Sequence, residues 1–234
     1  MERIDKIISV ASGVSRADAR ALIKKGLVSV NGAVIKDIGF KADENNDSIC
    51  SRGEKLCYSK YVYIMMNKPK GVISASEGGK EQTVVDILPD SMKRKNLFPA
   101  GRLDKDTTGF VLITDDGDFA HKILSPKNHI PKTYIAELDK PFDDTVASAF
   151  EQGVALKDDL CMPAKISAVD GDYTKAMVII KQGMYHQIKR MFGKFGITVT
   201  ELTRIKMGSL ALDETLQSGG CRYITPDELE LIKA

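Results

Sequence analysis

The chain has 234 residues, 43% of them hydrophobic and 28% charged, with a formal net charge of +2. That apolar share is enough to bury one or two cores and excludes a disordered chain; no run approaches the roughly 18 apolar residues of a membrane span. The start, Met1-Glu2-Arg3-Ile4-Asp5, has no apolar signal region, and Cys50, Cys57, Cys161 and Cys221 include no C-x-x-C pair, so a cytoplasmic protein with reduced thiols is expected. His121, His129 and His186 are too few for a histidine-rich metal site.

Charge is unevenly spread. Residues 1–36 carry seven basic side chains against three acids, and residues 181–206 carry six against one, Glu201. Two basic patches on a near-neutral body fit a polyanion that touches two places, although solvated helix faces give the same pattern. From Arg3 to Ala11 the residues Ile4, Ile7, Ile8 and Ala11 recur at helical spacing, and a second helix is expected over Ser15–Lys25 with Ala17, Ala21 and Leu22 on its apolar face. Ser15 is its N-cap, Asp18 holds the capping-box position, and Gly26 ends it. Leu27-Val28-Ser29-Val30, Asn31-Gly32 and Ala33-Val34-Ile35 then read as a hairpin, because Asn-Gly tolerates the positive φ of a type I′ turn. Arg3, Arg16, Arg20, Lys24 and Lys25 fall largely off the apolar face, within reach of phosphates. The run R-I-D-K followed by S-R-A-D-A-R-A-L-I-K-K-G-L-V-S-V-N-G resembles the S4 RNA-binding domain, which implies an RNA partner for a first domain over residues 1–58.

A new domain, 62–234, begins with the strand-like run Tyr61–Met66, in which Met65 and Met66 read as core filling, closed by Asn67-Lys68-Pro69-Lys70-Gly71. Further strands are expected at Phe110–Thr114, Thr133–Leu138 and Met177–Lys181, and helices at Val84–Leu88, Asp118–Leu124, Asp143–Gln152 and Tyr185–Lys194. Their irregular order predicts an α+β fold with a mixed, mostly antiparallel sheet flanked by helices.

The segment Ala100-Gly101-Arg102-Leu103-Asp104-Lys105-Asp106-Thr107-Thr108-Gly109 packs two glycines, two acids and two bases in front of a strand. As a calcium loop, Asp104, Asp106, Thr108, Gly109 and Asp115 take the required spacing, but Pro99 and the β-branched run after it oppose the flanking helices an EF-hand needs. As D-x-D-x-T it suggests an aspartyl-phosphate phosphatase, but Gly101 and Arg102 interrupt the apolar approach. The plain alternative is a charged turn with Asp104 tied to a neighbouring amide.

Gly101-Arg102-Leu103-Asp104 also resembles the catalytic motif of pseudouridine synthases, and the text around it matches the branch that couples this domain to an S4 domain. The resemblance covers the whole chain. It implies Asp104 as nucleophile, Arg102 beside the target base, and Tyr134, in Lys132-Thr133-Tyr134, stacked on the uracil. It aligns Lys189, in Gly183-Met184-Tyr185-His186-Gln187-Ile188-Lys189-Arg190, with the basic partner of the catalytic Asp, and Arg190 is its rival. Glu201-Leu202-Thr203-Arg204 matches a late Leu-x-Arg segment whose Leu packs on the pocket; Leu202, Arg204 and Arg190 are further expected RNA contacts. Met184 stands where many relatives carry Arg.

Asp106-Thr107-Thr108-Gly109, Thr114-Asp115-Asp116-Gly117 and Ser125-Pro126 look most like enzymes of small-subunit ribosomal RNA. A large-subunit target and a non-catalytic S4-containing assembly factor are the alternatives. Isomerising uridine to its C-glycoside changes no oxidation state and loses no group, so the resemblance implies no cofactor and no metal. A carboxylate can attack C6 of the ring or C1′ of the ribose. A cation such as Lys189 suits it, because opposite charge at about 4–6 Å favours the ionised form. Ribosomal RNA is the expected partner of a monomeric enzyme. His186 reads as structural or as an RNA contact, having no partnered carboxylate in its own segment.

Overall fold

The computed structural model of the protein describes residues 1–43, 46–56, 58–128, 130–157 and 159–233; Cys57 and His129 lie outside the described residues. The chain divides into two compact units, residues 1–61 and 62–234.

In the first unit β1 (Glu2–Arg3), α1 (Ile4–Ser12) and α2 (Arg16–Lys24) precede β2 (Val28–Val30), β3 (Ala33–Val34), β4 (Lys41–Ala42), β5 (Ile49–Ser51) and β6 (Glu54–Lys55). Ser15 caps α2, its Oγ accepting from the Asp18 amide at 3.1 Å and donating to Asp18 Oδ2 at 2.6 Å. The shorter Asp thus meets the serine hydroxyl, where a Glu would reach the cap's backbone amide. Asn31 and Gly32 both take positive φ, 50° and 82°, and close the β2–β3 hairpin. The two helices lay Ile4, Ile7, Ile8, Ala19, Leu22 and Ile23 on the hairpin residues Val28 and Val30. This corrects the expected face of α2: Ala17 and Ala21 are exposed. Leu22 and Ile23 remove more apolar area from water than two alanines, so they set the helix rotation.

The second unit runs β7 (Tyr63–Lys68), β8 (Phe98–Pro99), β9 (Thr108–Thr114), α3 (Gly117–Leu124), β10 (Lys132–Leu138), α4 (Asp144–Gln152), β11 (Lys165–Val169), β12 (Asp172–Ile180), α5 (Gln187–Gly193), β13 (Val199–Met207), β14 (Leu210–Ala211), β15 (Cys221–Tyr223) and α6 (Pro226–Lys233). The strands form one sheet of order β11-β12-β10-β13-β9-β7-β15, with β8 on β9 and β14 on β13. Its pairings are antiparallel except β9–β13, which is parallel. The fold is therefore α+β with a mixed, mostly antiparallel sheet.

Successive strand side chains point to opposite faces, and here both faces are apolar. Ile64, Met66, Val111 and Ile113 face one core with Phe150 of α4 and Ile188, Met191 and Phe192 of α5. Met65, Phe110 and Leu112 face another with Phe119, Ala120 and Ile123 of α3 and Ile232 of α6. The expected helix over Val84–Leu88 is only a turn. Thr83 and Asp86 do cap each other, the Thr83 amide donating to Asp86 Oδ2 at 2.9 Å and the Asp86 amide to Thr83 Oγ1 at 3.1 Å. Pro89 then stops the chain, because the residue before a proline is pushed out of the helical region.

The parallel pair sets Thr108 beside Thr203 and Gly109 beside Arg204. Gly109 has φ +95°, and a Cβ there would lie 2.2 Å from the Arg204 carbonyl oxygen. Gly109→Ala is accordingly expected to lower stability by on the order of 2 to 4 kcal/mol, the sum of left-handed strain and a backbone clash, read as a lower urea midpoint.

Candidate active site

The residues from Leu103 to Thr107 form a pinned turn. The Thr107 amide donates to the Asp104 carbonyl at 3.1 Å, and the Gly71 amide donates to the Lys105 carbonyl at 2.9 Å. Leu103 is buried in the core, its amide held by Ser74 Oγ at 3.1 Å. Beneath the turn lies Lys68, at the end of β7 and with no exposed surface. Its ammonium donates to the carbonyls of Pro69, Lys105 and Thr107 at 3.0, 3.3 and 2.8 Å. Burial pushes Lys68 down to about 8, while Asp106 and Asp104 pull the other way. The sequence reading took Asn67-Lys68-Pro69 only as the end of a strand; a lysine in an otherwise apolar strand was the signal available.

The Asp104 carboxylate is partly exposed and stands between two basic side chains: His186 Nε2 lies 3.5 Å from Oδ1 and Lys189 Nζ 3.6 Å from Oδ2. Lys189 is also hydrogen-bonded to both oxygens of Asp106, at 2.6 and 2.7 Å. Those bonds hold the Asp106 carboxyl below the usual carboxylate range, outweighing burial, which acts the other way. Sequence spacing could not show this sharing, since residues 104, 106, 186 and 189 meet only through the sheet. Arg102 is exposed and has no ion-pair partner among the described residues. Arg190 does not approach Asp104: it pairs with Asp159 at 3.3 Å and reaches the Tyr185 carbonyl at 3.4 Å. As a rival partner of the acid it is corrected, because it lies one position round α5 from Lys189.

Tyr134 lies on β10, 7% exposed, within the core cluster that contains Leu202. Antiparallel pairing places it opposite Arg204 on β13. Arg204 is 2% exposed. Its Nε donates to the Phe110 carbonyl at 2.7 Å and its Nη1 lies 3.5 Å from the Tyr134 hydroxyl. Arg204 and Leu202, expected as RNA contacts, are thus corrected to buried supports of Tyr134; the alternation of β13 turns both inward. Nη2 of Arg204 has no hydrogen-bond partner among the described residues. Nearby Lys132 is also buried, and burial, with Arg204 adding to it, pushes its ammonium down.

The calcium spacing has no matching geometry. Thr108 and Gly109 are in β9, and Asp115 accepts from the Val62 amide at 2.9 Å and pairs with Arg94 at 2.7 Å. Among the described residues no three His, Cys, Asp or Glu side chains gather where they could hold a metal.

In the first unit Asp5 of α1 is buried and gathers three of the expected phosphate contacts. Arg3, Arg16 and Arg20 reach its two oxygens at 3.1, 2.8 and 2.9 Å, each side chain remaining 43–48% exposed. Burial alone would raise this carboxyl, but the three guanidinium hydrogen bonds outweigh it and hold it far below its ordinary value. Lys24 and Lys25 are exposed at the end of α2, with no ion pair among the described residues.

Residues 62–194 match the family model described as RNA pseudouridylate synthase, and residues 2–48 match the S4 domain. The chain is 40% identical over 233 residues to the Bacillus subtilis (strain 168) protein named "Uncharacterized RNA pseudouridine synthase YtzG", with 98% of each chain covered. It is 39% identical over 232 residues to ribosomal small subunit pseudouridine synthase A of Vibrio cholerae, covering 98% of this chain and 99% of that one. A crystal structure of a pseudouridylate synthase superposes with a TM-score of 0.69 at 34% identity, over 99% of this chain and 100% of the other. The protein belongs to the RNA pseudouridine synthase family, with an S4 domain at its N-terminal end.

The Asp5 cluster predicts a pH effect with a definite sign. A carboxyl lowered on folding contributes stability that is present above its unfolded value, near pH 4, and lost as pH falls below it. Asp5→Asn should cost on the order of 1 to 3 kcal/mol at pH 7, and the gap to wild type should begin to narrow below about pH 4, where Asp5 takes up a proton in the unfolded chain while the folded carboxylate stays ionised. Urea titrations of the full chain at pH 7 and pH 3 measure this; a gap that stays constant would separate Asp5 from the effect.

Proposed function

We propose that this enzyme converts one uridine of small-subunit ribosomal RNA to pseudouridine, with Asp104 as the nucleophile and without a cofactor. The observation that carries the reading is the placement of the Asp104 carboxylate: on a turn fixed from below by Lys68, flanked by Lys189 at 3.6 Å and His186 at 3.5 Å. The small-subunit assignment rests on the relatives that share about 39% of their residues along the full chain.

The uridine leaves its stack and enters beside Asp104, where Arg102, exposed and unpaired among the described residues, takes up the lost pairing and the Tyr134 ring supports the uracil face. Asp104 adds covalently to the uridine, the N1–C1′ bond breaks, the uracil turns, and C5 joins C1′. Loss of the C5 proton and release of the carboxylate complete the isomerisation. Lys189 orients the carboxylate and supplies positive charge opposite it. Nothing is oxidised or transferred away, so side chains suffice. The S4 unit holds the ribosomal RNA through Arg3, Arg16, Arg20, Lys24 and Lys25, and the enzyme works as a cytoplasmic monomer.

Tritium release from C5-labelled uridine in small-subunit ribosomal RNA tests the activity, and mapping the product identifies the uridine. Asp104→Asn should keep RNA affinity within a few-fold and abolish turnover, since the amide preserves shape and cannot form the ester or adduct; residual turnover above a few per cent would reject the covalent role. Tyr134→Phe should bind RNA nearly normally and lose on the order of 10²-fold in turnover if the hydroxyl next to Arg204 moves the C5 proton. Tyr134→Leu should lose binding as well, by about 1 to 3 kcal/mol, the worth of a base–aromatic stack. Full activity in both variants would return Tyr134 to the core.

A further inference from the structure

Among the described residues the most exposed aromatic ring is Tyr185, 76% exposed, and neither core uses it. It is nevertheless held in place. The Met184 amide donates to Gln187 Oε1 at 3.1 Å, and Arg190, anchored by Asp159, reaches the Tyr185 carbonyl at 3.4 Å. The Tyr185 ring stacks on the ring of the next residue, His186, with centroids 3.9 Å apart and planes within 15°. Two neighbours in sequence stack this way here because His186 takes a left-handed backbone, φ 47° and ψ 36°. That conformation is unfavourable for a residue other than glycine. Burial does not offset the cost, since most of the Tyr185 ring stays in water. The far edge of the His186 ring meets Asp104, Nε2 to Oδ1 3.5 Å. One face of an aromatic pair thus borders the reacting carboxylate and the other is open.

We propose that the open face of Tyr185 is a nucleobase subsite, occupied by an unpaired base of the RNA strand that neighbours the target uridine. This rests on the function proposed above. When a uridine leaves its helix, the adjoining bases lose a stacking partner, and a flat aromatic one ring away from the nucleophile replaces it. The surroundings favour a strand of nucleic acid: Lys189 and Arg190 follow on α5, and Arg102 stands unpaired on the turn. A base seated on Tyr185 completes a stack of three rings whose last member, His186, is held with its edge at Asp104. Base recognition and the placing of the acid are then coupled through His186.

The test uses the full chain and an RNA hairpin cut from small-subunit ribosomal RNA around the uridine that wild-type enzyme modifies. 2-Aminopurine replaces each flanking base in turn. Stacking on Tyr185 should quench it at one position in the wild-type and Tyr185→Phe complexes, and should leave it brighter in the Tyr185→Leu complex. Tyr185→Leu should also raise KM roughly 5- to 100-fold, the scale of one base–aromatic stack, with Tyr185→Phe restoring it. An abasic residue at that position should cost wild type the same factor and cost Tyr185→Leu nothing further. If wild type forms pseudouridine but no flanking position is quenched, or if Tyr185→Leu has an unchanged KM, the subsite is overturned while the isomerase reading stands. If wild type forms no pseudouridine in any ribosomal RNA and no flanking base of the conserved hairpins is quenched, both fall.

Discussion

Putting an ammonium ion where no water reaches it is costly, and Lys68 is tolerated because three backbone carbonyls coordinate it. One of the three belongs to the strand end that carries Lys68, and the other two belong to the turn that carries Asp104. The ion therefore clasps the edge of the sheet to a loop that would otherwise be free to move. Leu103 roots the turn in the core on one side, and Gly109 lets β9 lie against β13 on the other. The acid between them needs no rearrangement before it meets a substrate. The coupling is mutual, since the negative charges of Asp104 and Asp106 oppose the loss of the Lys68 proton.

Above the turn a second cation is divided between two acids. Lys189 is hydrogen-bonded to Asp106 and lies about an ångström farther from Asp104. Asp106 thereby draws the lysine to one side and leaves Asp104 flanked but not capped by a tight ion pair. Behind Tyr134 the arrangement is the reverse. Arg204 and Lys132 are both buried, and the hydrogen bonds of Arg204 run to a carbonyl and a phenol rather than to a carboxylate. Acids thus mark the turn, and buried positive charge backs the strands.

Much of this was legible from local pattern. Helical spacing found α1, the Ser15 cap and Gly26 bounded α2, and Asn31-Gly32 gave the hairpin, because each depends on residues a few positions apart. Strands Phe110–Thr114 and Thr133–Leu138 were found from their apolar, β-branched runs. The nine-residue β13 was not, since Thr200, Glu201, Thr203 and Lys206 alternate with buried residues in a strand that is only half apolar. The helix drawn at Tyr185 begins two residues later, because pattern cannot foresee a left-handed His186. Motif resemblance named Asp104 and Lys189, which the fold brings within 3.6 Å, and Tyr134, which sits in the core cluster; it also put Arg204 and Leu202 at the RNA, and both are buried, for a motif records which residues recur and not which way a strand turns them. Lys68 read only as part of a strand's end, Asp106 as a member of a charged loop and His186 as structural or an RNA contact, because the contacts that join them to Asp104 and its turn are made across the sheet or over scores of residues.

The carboxylate at Asp5 fixes three arginines that, left alone, would sweep through many rotamers. Two-pronged side chains tied at one oxygen pair become a rigid basic plate, with nearly half of each side chain still open to solvent. A rigid plate reads the spacing of charges, while a loose set of lysines such as Lys24 and Lys25 answers only to their number. Such a plate fits phosphates held at a set separation by a folded backbone better than the same phosphates on a slack single strand. The S4 unit, small and only +4 over its first 36 residues, in this way carries part of its positive charge at fixed spacing rather than on loose side chains.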